Sequence, residues 1–189
     1  MEPIRRADLV EATISEIGRA GTLEVTVAQI ARRAGVSSAL AHHYFGSKER
    51  MFAEAMRHTL RVYGAEVRGA LTVAKGSKGR IEAIIRVSFS AANFRTEVIA
   101  AWLNFYVQAQ KSDEARRLLH IYQQRVRSNL RHDLRPLVGN GAGELARGIA
   151  AMIDGLYIRQ ALSELPLDAE ANVALVLGYL ETSLTQRSL

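Results

Sequence analysis

The chain has no cysteine among its 189 residues. Disulfide frameworks, thiolate nucleophiles and cysteine-bearing metal sites are therefore excluded. It also lacks any run of roughly 18 apolar residues, the length a membrane-spanning helix needs. The opening segment, MEPIRRADLVEAT, has no apolar signal core and enters an amphipathic pattern at once. A soluble cytoplasmic protein is the expectation. The five histidines (His42, His43, His58, His120, His132) show no HExxH or other metal spacing. No serine sits in GxSxG, and no strand pattern precedes a glycine-rich loop. GNGAG at Gly139–Gly143 lies between helical patterns, and KGSKG at Lys75–Gly79 lacks the Walker spacing. The expectation is that the chain is not an enzyme and holds no metal or cofactor.

What is present is helical. Hydrophobic residues make up 48% of the chain, enough for a sizeable core. The net charge is +6, which favours a polyanionic partner only weakly. Residues 1–61 hold 9 Lys/Arg against 7 Asp/Glu, and much of the remaining excess falls in Arg116–Arg135. Any binding of a polyanion must rest on geometry rather than bulk charge. Apolar spacing predicts helices near 5–20, 26–34, 38–44, from 47 past 67, 80–94, 97–110, 113–137, 144–163 and 168–184, with no strand. The fold class is all-α. A three-helix N-terminal part occupies 1–61, and a helical remainder occupies 62–189. KGSKG reads as a loop by composition.

The most informative stretch is TVAQIARRAGVSSALAHHYF, Thr26–Phe45. Val27, Ile30, Ala31 and Ala34 share one helical face. Thr26 and Gln29 have the spacing of a capping box. Gly35 supplies the freedom that a helix end needs, and Ser37 can cap a second helix. Short helix, glycine turn, short capped helix is the pattern of a helix-turn-helix. The outward residues of its second helix would be Ser37, Ser38, His42, His43 and Tyr44. None is acidic, which suits phosphate and base-edge contacts. An ordinary helical hairpin within a bundle is the alternative on spacing alone.

Thr26, Ile30, Ala31, Ala34-Gly35-Val36-Ser37, Tyr44-Phe45 and Ser47-Lys48 resemble the N-terminal signature of the TetR family of transcriptional regulators. The resemblance implies three DNA-binding helices, about six more for effector binding and dimerisation, and a near-palindromic operator. It implies that Ser37, Ser38, Ala39 and His42 face bases. Tyr44 and Lys48 would hold phosphates, with His43 as a helper and Thr26 at the start of the first motif helix. His42 stands where the family usually has tyrosine, and Ala39 where it often has glycine, so the base preference stays open. IRRADLVEATISEI, AAWLNFY (Ala100–Tyr106), AAMIDGLYIRQALS (Ala150–Ser163) and PLD (Pro166–Asp168) narrow the resemblance to choline-responsive repressors of glycine betaine synthesis genes. That implies choline as effector and a homodimer as the working state. A TetR-type repressor for another cationic or apolar compound, such as one controlling efflux, is the alternative within DNA binding. A helical interaction protein is the alternative outside it.

Asp154 lies in an apolar helical pattern with no cation at i±3 or i±4. A buried carboxylate needs a partner. A quaternary ammonium would serve, and so would an arginine from another helix, such as Arg95 or Arg125. Trp102, Phe105 and Tyr106 fall at i, i+3, i+4. They read either as core or, with Tyr157, as a cation–π cage for choline. Asn93 or Asn104 would then meet the hydroxyl. Stripes at Leu145, Ile149, Met152, Ile153, Leu156 and at Val173, Val176, Leu177, Leu180, Leu184 are candidates for core or dimer interface.

Overall fold

A computed structural model describes residues 2–187. Among them are nine α-helices and one 3-10 turn. The helices are α1 (Glu2–Ala20), α2 (Val27–Arg33), α3 (Ser38–Phe45), α4 (Lys48–Val73), α5 (Gly76–Ser88), α6 (Thr96–Ala109), α7 (Asp113–Val138), α8 (Ala142–Ala161) and α9 (Ala169–Arg187). No strand occurs among the described residues.

The residues form two compact units. One holds Met1–Arg61 with Thr96–Leu119; the other holds Val62–Arg95 with His120–Leu189. Recruitment of Thr96–Leu119 into the first unit is invisible in the linear pattern. It follows from the packing of α1 on α6. Gly18 is the reason these helices approach so closely. A Cβ there would stand 2.5 Å from the Glu97 Cα, so only glycine fits. Leu9, Val10, Ile14 and Ile17 of α1 and Val98, Ile99, Ala101 and Phe105 of α6 are buried in this unit.

In the second unit Ile81, Ile84 and Ile85 of α5, Leu130 and Leu134 of α7, Leu145, Ile149 and Ile153 of α8, and Val173, Val176 and Leu180 of α9 are buried. Burying each such side chain contributes about 2 kcal/mol. Asp133 of α7 is buried too, and it accepts a hydrogen bond from Arg80 Nε at 2.8 Å. Arg80 also donates to the Leu71 carbonyl at 3.1 Å, so one guanidinium ties α4, α5 and α7 together.

One expectation from composition is corrected, and a second glycine-rich segment keeps its place between helices. Lys75–Gly79 is not a loop, because α5 begins at Gly76 and only Ala74 and Lys75 separate it from α4. GNGAG is a short 3-10 turn at Gly139–Gly141 that runs directly into α8. In both places glycine sits within one turn of strongly apolar helical residues. Their burial outweighs glycine's modest helix penalty of about 1 kcal/mol.

Candidate DNA-reading surface and effector cleft

The motif is built by capping and one left-handed residue. Thr26 Oγ1 accepts a hydrogen bond from Gln29 N at 3.2 Å, and Gln29 Oε1 accepts one from Thr26 N at 2.6 Å. The α2 start is thus closed reciprocally. Its end is a 6→1 closure: Val36 N donates to the Ala31 carbonyl at 2.9 Å while Gly35 sits at φ 66°. Ser37 Oγ then accepts from Leu40 N at 3.2 Å and starts α3. Ile30 and Ala31 of α2 and Ala41 and Phe45 of α3 are buried, which fixes the angle between the two helices. From α1, the buried Glu16 carboxylate accepts from Arg19 at 2.8 Å and from Arg33 at the α2 end. The Arg19 hydrogen bond is the main force holding the Glu16 carboxyl below the usual carboxylate range; its burial acts the other way and Arg33 adds to the lowering.

With Ala41 and Phe45 turned inward, the opposite face of α3 is open. Ser37, Ser38, Ala39, His42 and His43 are exposed, and Tyr44 is half-buried beside the His43 ring at 5.8 Å. No acidic residue occurs on α3. Ser47 Oγ caps α4 by accepting from Arg50 N at 3.3 Å. Lys48, the first residue of α4, is half-buried with its ammonium 5.4 Å from the Phe52 ring centroid. Thr26 is exposed, with its hydroxyl engaged in the cap.

The second candidate site divides between the units. Trp102, Asn104, Phe105 and Tyr106 belong to the first. The Trp102 ring packs 6.2 Å from both Phe105 and Tyr106, and the Asn104 amide donates to the Ala100 carbonyl at 2.9 Å. Asn93, Asp154 and Tyr157 belong to the second unit. There the Tyr157 hydroxyl donates to the Ser88 carbonyl, and its ring meets Phe94 at 5.2 Å and Phe89 at 6.0 Å. Asn93 is buried, and its amide nitrogen donates to Glu66 Oε2 at 2.6 Å and to the Val87 carbonyl at 3.0 Å.

Asp154 is half-buried in a cleft of about 180 Å³ between α7 and α8. Buried Val126 and Ile153, half-buried Tyr122 and exposed Arg127 and Arg147 line it with Asp154. Tyr122 packs edge-on against Tyr63 at 5.4 Å. Burial pushes the Tyr63 phenol up to about 12, and the Asp154 charge pushes the same way. A carboxylate with two tyrosine rings nearby is a place where a desolvated cation gains both Coulombic and cation–π attraction.

Comparison with known proteins bears on both sites. Residues 9–55 match the family of bacterial regulatory proteins, tetR family, and residues 77–185 match the BetI-type transcriptional repressor C-terminal family. The chain belongs to the TetR family. Its C-terminal half is of the BetI type. It is 52% identical over 186 residues to the HTH-type transcriptional regulator BetI of Brucella suis biovar 1, covering 98% of this chain and 94% of the relative. It is 51% identical to BetI of Rhizobium meliloti over 185 residues, covering 97% and 91%. A transcriptional regulator of Pseudomonas aeruginosa PAO1 superposes with a TM-score of 0.83 at 26% identity, covering 98% of this chain and 92% of that one. The fold is shared at 21% identity and a TM-score of 0.80 with a regulator of Saccharomonospora viridis, solved in complex with choline, over 93% of this chain and 95% of that one.

As a TetR-type, BetI-like repressor, the chain uses α2 and α3 as its DNA-binding motif. Among the described residues no helix is long and apolar enough to cross a membrane. The side chains around Asp154 that sequence reading did not single out are Tyr63, Tyr122, Arg127 and Arg147. Tyr63, Tyr122 and Arg127 stand on helices whose register against α8 is set by tertiary packing, whereas Arg147 lies two turns before Asp154 on α8 itself. Tyr122 did carry one local signal, since it lies one turn before the buried Val126.

Proposed function

We propose that this TetR-type regulator represses genes of choline uptake and glycine betaine synthesis, and that choline is its effector. The observation that carries the effector reading is the half-buried Asp154 carboxylate in a cleft beside Tyr122. The trimethylammonium head of choline has no N–H donor, so a carboxylate and ring faces suit it. Support also comes from the names of the BetI relatives and from the choline bound to the Saccharomonospora viridis neighbour.

At the other site, Ser37, Ser38, Ala39 and His42 face base edges, while Tyr44, Lys48 and His43 meet phosphates. Thr26 acts through its cap. The protein works in the cytoplasm as a homodimer, with two recognition helices on a near-palindromic operator. Exposed Leu175 and Tyr179 on α9 and Ile158 on α8 supply apolar surface for pairing. Choline selects a dimer geometry that no longer matches the operator. Regulation is the whole of the activity, with no catalysis.

The test is a calorimetric choline titration of wild type and Asp154→Asn. Wild type binds, and the variant loses roughly tenfold in affinity, about 1.4 kcal/mol. Equal choline binding by the two removes Asp154 from the site. A wild-type protein indifferent to choline removes choline itself.

A further inference from the structure

Glu54 of α4 holds guanidiniums from two helices, and its two oxygens divide them. Oε2 accepts from Arg6 Nη2 of α1 at 3.2 Å, and Oε1 accepts from Arg57 Nη1 of α4 at 2.6 Å. Arg61 Nη2 stands 4.0 Å from Oε2. Three cations thus share one carboxylate whose side chain is only 17% exposed, so a bond gained by one is lost to another. Arg57 has a second acid. Its Nη2 donates to Glu114 in the first turn of α7, which leaves Glu54 Oε2 to Arg6.

Arg6 has a second contact too. Its guanidinium lies 5.3 Å from the centroid of the Phe45 ring. Phe45 is the buried last residue of α3, and its neighbour Tyr44 lines one cleft with Arg6, Glu54 and Arg61. The bond to Oε2 therefore holds a cation on the end of the recognition helix. All of these residues belong to the first compact unit.

The sharing on Glu54 has two arrangements. A guanidinium released from Glu114 can turn both prongs of its fork onto Glu54, the bidentate geometry that carboxylates favour. Arg57 sits three residues from Glu54 on the same helix, so it stays adjacent, whereas Arg6 reaches across from α1. In that arrangement Arg6 loses Oε2, and with it its hold over Phe45.

We infer that Glu54 is a positioning residue for α3, and that Arg57, held by Glu114 or released from it, decides whether Arg6 keeps its place on Phe45. The helix that bears Glu114 also bears Tyr122 and Val126 of the Asp154 cleft, so an effector there acts on the helix that restrains Arg57. That last step rests on the effector reading above; the exchange on Glu54 does not.

Anisotropy of labelled DNA from upstream of choline-oxidation genes tests it, with wild type, Glu114→Gln, Arg57→Gln and the double variant, each with and without choline. Without choline, Glu114→Gln should bind DNA roughly threefold more weakly, the worth of one cation–π contact. Arg57→Gln should bind as tightly as wild type, because the competitor for Glu54 is gone. The double variant should match Arg57→Gln, so that removing the arginine rescues the loss of its acid. A merely structural ion pair gives the opposite pattern: both single variants weaken binding, and the double variant is no better. Circular dichroism melts show that each variant is folded at the assay temperature. Wild-type affinity in Glu114→Gln, or a double variant as weak as Glu114→Gln, overturns the inference. Choline should weaken DNA binding by Arg57→Gln less than by wild type, and an equal effect on both overturns the link to α7. A wild-type protein indifferent to choline overturns the effector reading, and the choline-free comparison still decides the exchange on Glu54. The absence of any saturable complex overturns both.

Discussion

A single carboxylate, Glu16, does much to hold the DNA-binding motif in place. It is buried on α1, yet it receives Arg19 from its own helix and Arg33 from the end of α2. Glu16→Gln should cost about 2 kcal/mol, the usual worth of hydrogen bonds to a buried charge. The pH dependence has a definite sign. The folded Glu16 carboxyl sits below its unfolded value, so its stabilisation is present above the unfolded value and disappears as pH falls through the folded one. Thermal melts of wild type and Glu16→Gln should therefore differ most near neutrality and converge in acid; a constant gap would show that the Glu16 charge is not what stabilises. Lys48 belongs to the same scale. Lys48→Ala should weaken binding to every DNA sequence and lower the salt slope by about one, the signature of one lost phosphate contact. Fluorescence anisotropy at several salt concentrations reads both, and an unchanged slope would remove Lys48 from the DNA backbone.

At the scale of elements, the turn between α2 and α3 decides whether the motif forms. Gly35 holds φ 66°, where an L side chain costs roughly 1–2 kcal/mol, so Gly35→Ala should lower both melting temperature and operator affinity. An undiminished melting temperature would mean that the turn relaxes freely. The same elements show what a sequence conveys. Capping at Thr26 and Ser37 is readable because each cap lies within three residues of its partner. The open face of α3 was readable for the same reason, since Ala41 and Phe45 fix which side turns inward. The Lys75–Gly79 segment misleads, because composition reports flexibility while the burial of Ile81 a few residues away reports structure. The cleft was half legible. Asp154 stands out as an acid in an apolar helix, but Tyr63, Tyr122 and Arg127 come from α4 and α7 in a register that no local pattern encodes.

At the scale of the whole molecule, a TetR-type repressor must couple an effector cleft to an operator. Sedimentation at micromolar concentration should give a dimer, and a stable monomer would contradict the pairing of α8 and α9. Coupling between effector and operator should amount to about 5–150-fold in affinity, the usual range for linked sites. The most direct test is anisotropy of labelled DNA, taken from upstream of choline-oxidation genes, titrated with the regulator at several choline concentrations. A saturable complex whose dissociation constant rises at least fivefold with choline is the predicted result. A complex that forms with equal affinity at every choline concentration, or the absence of any saturable complex, would contradict the account.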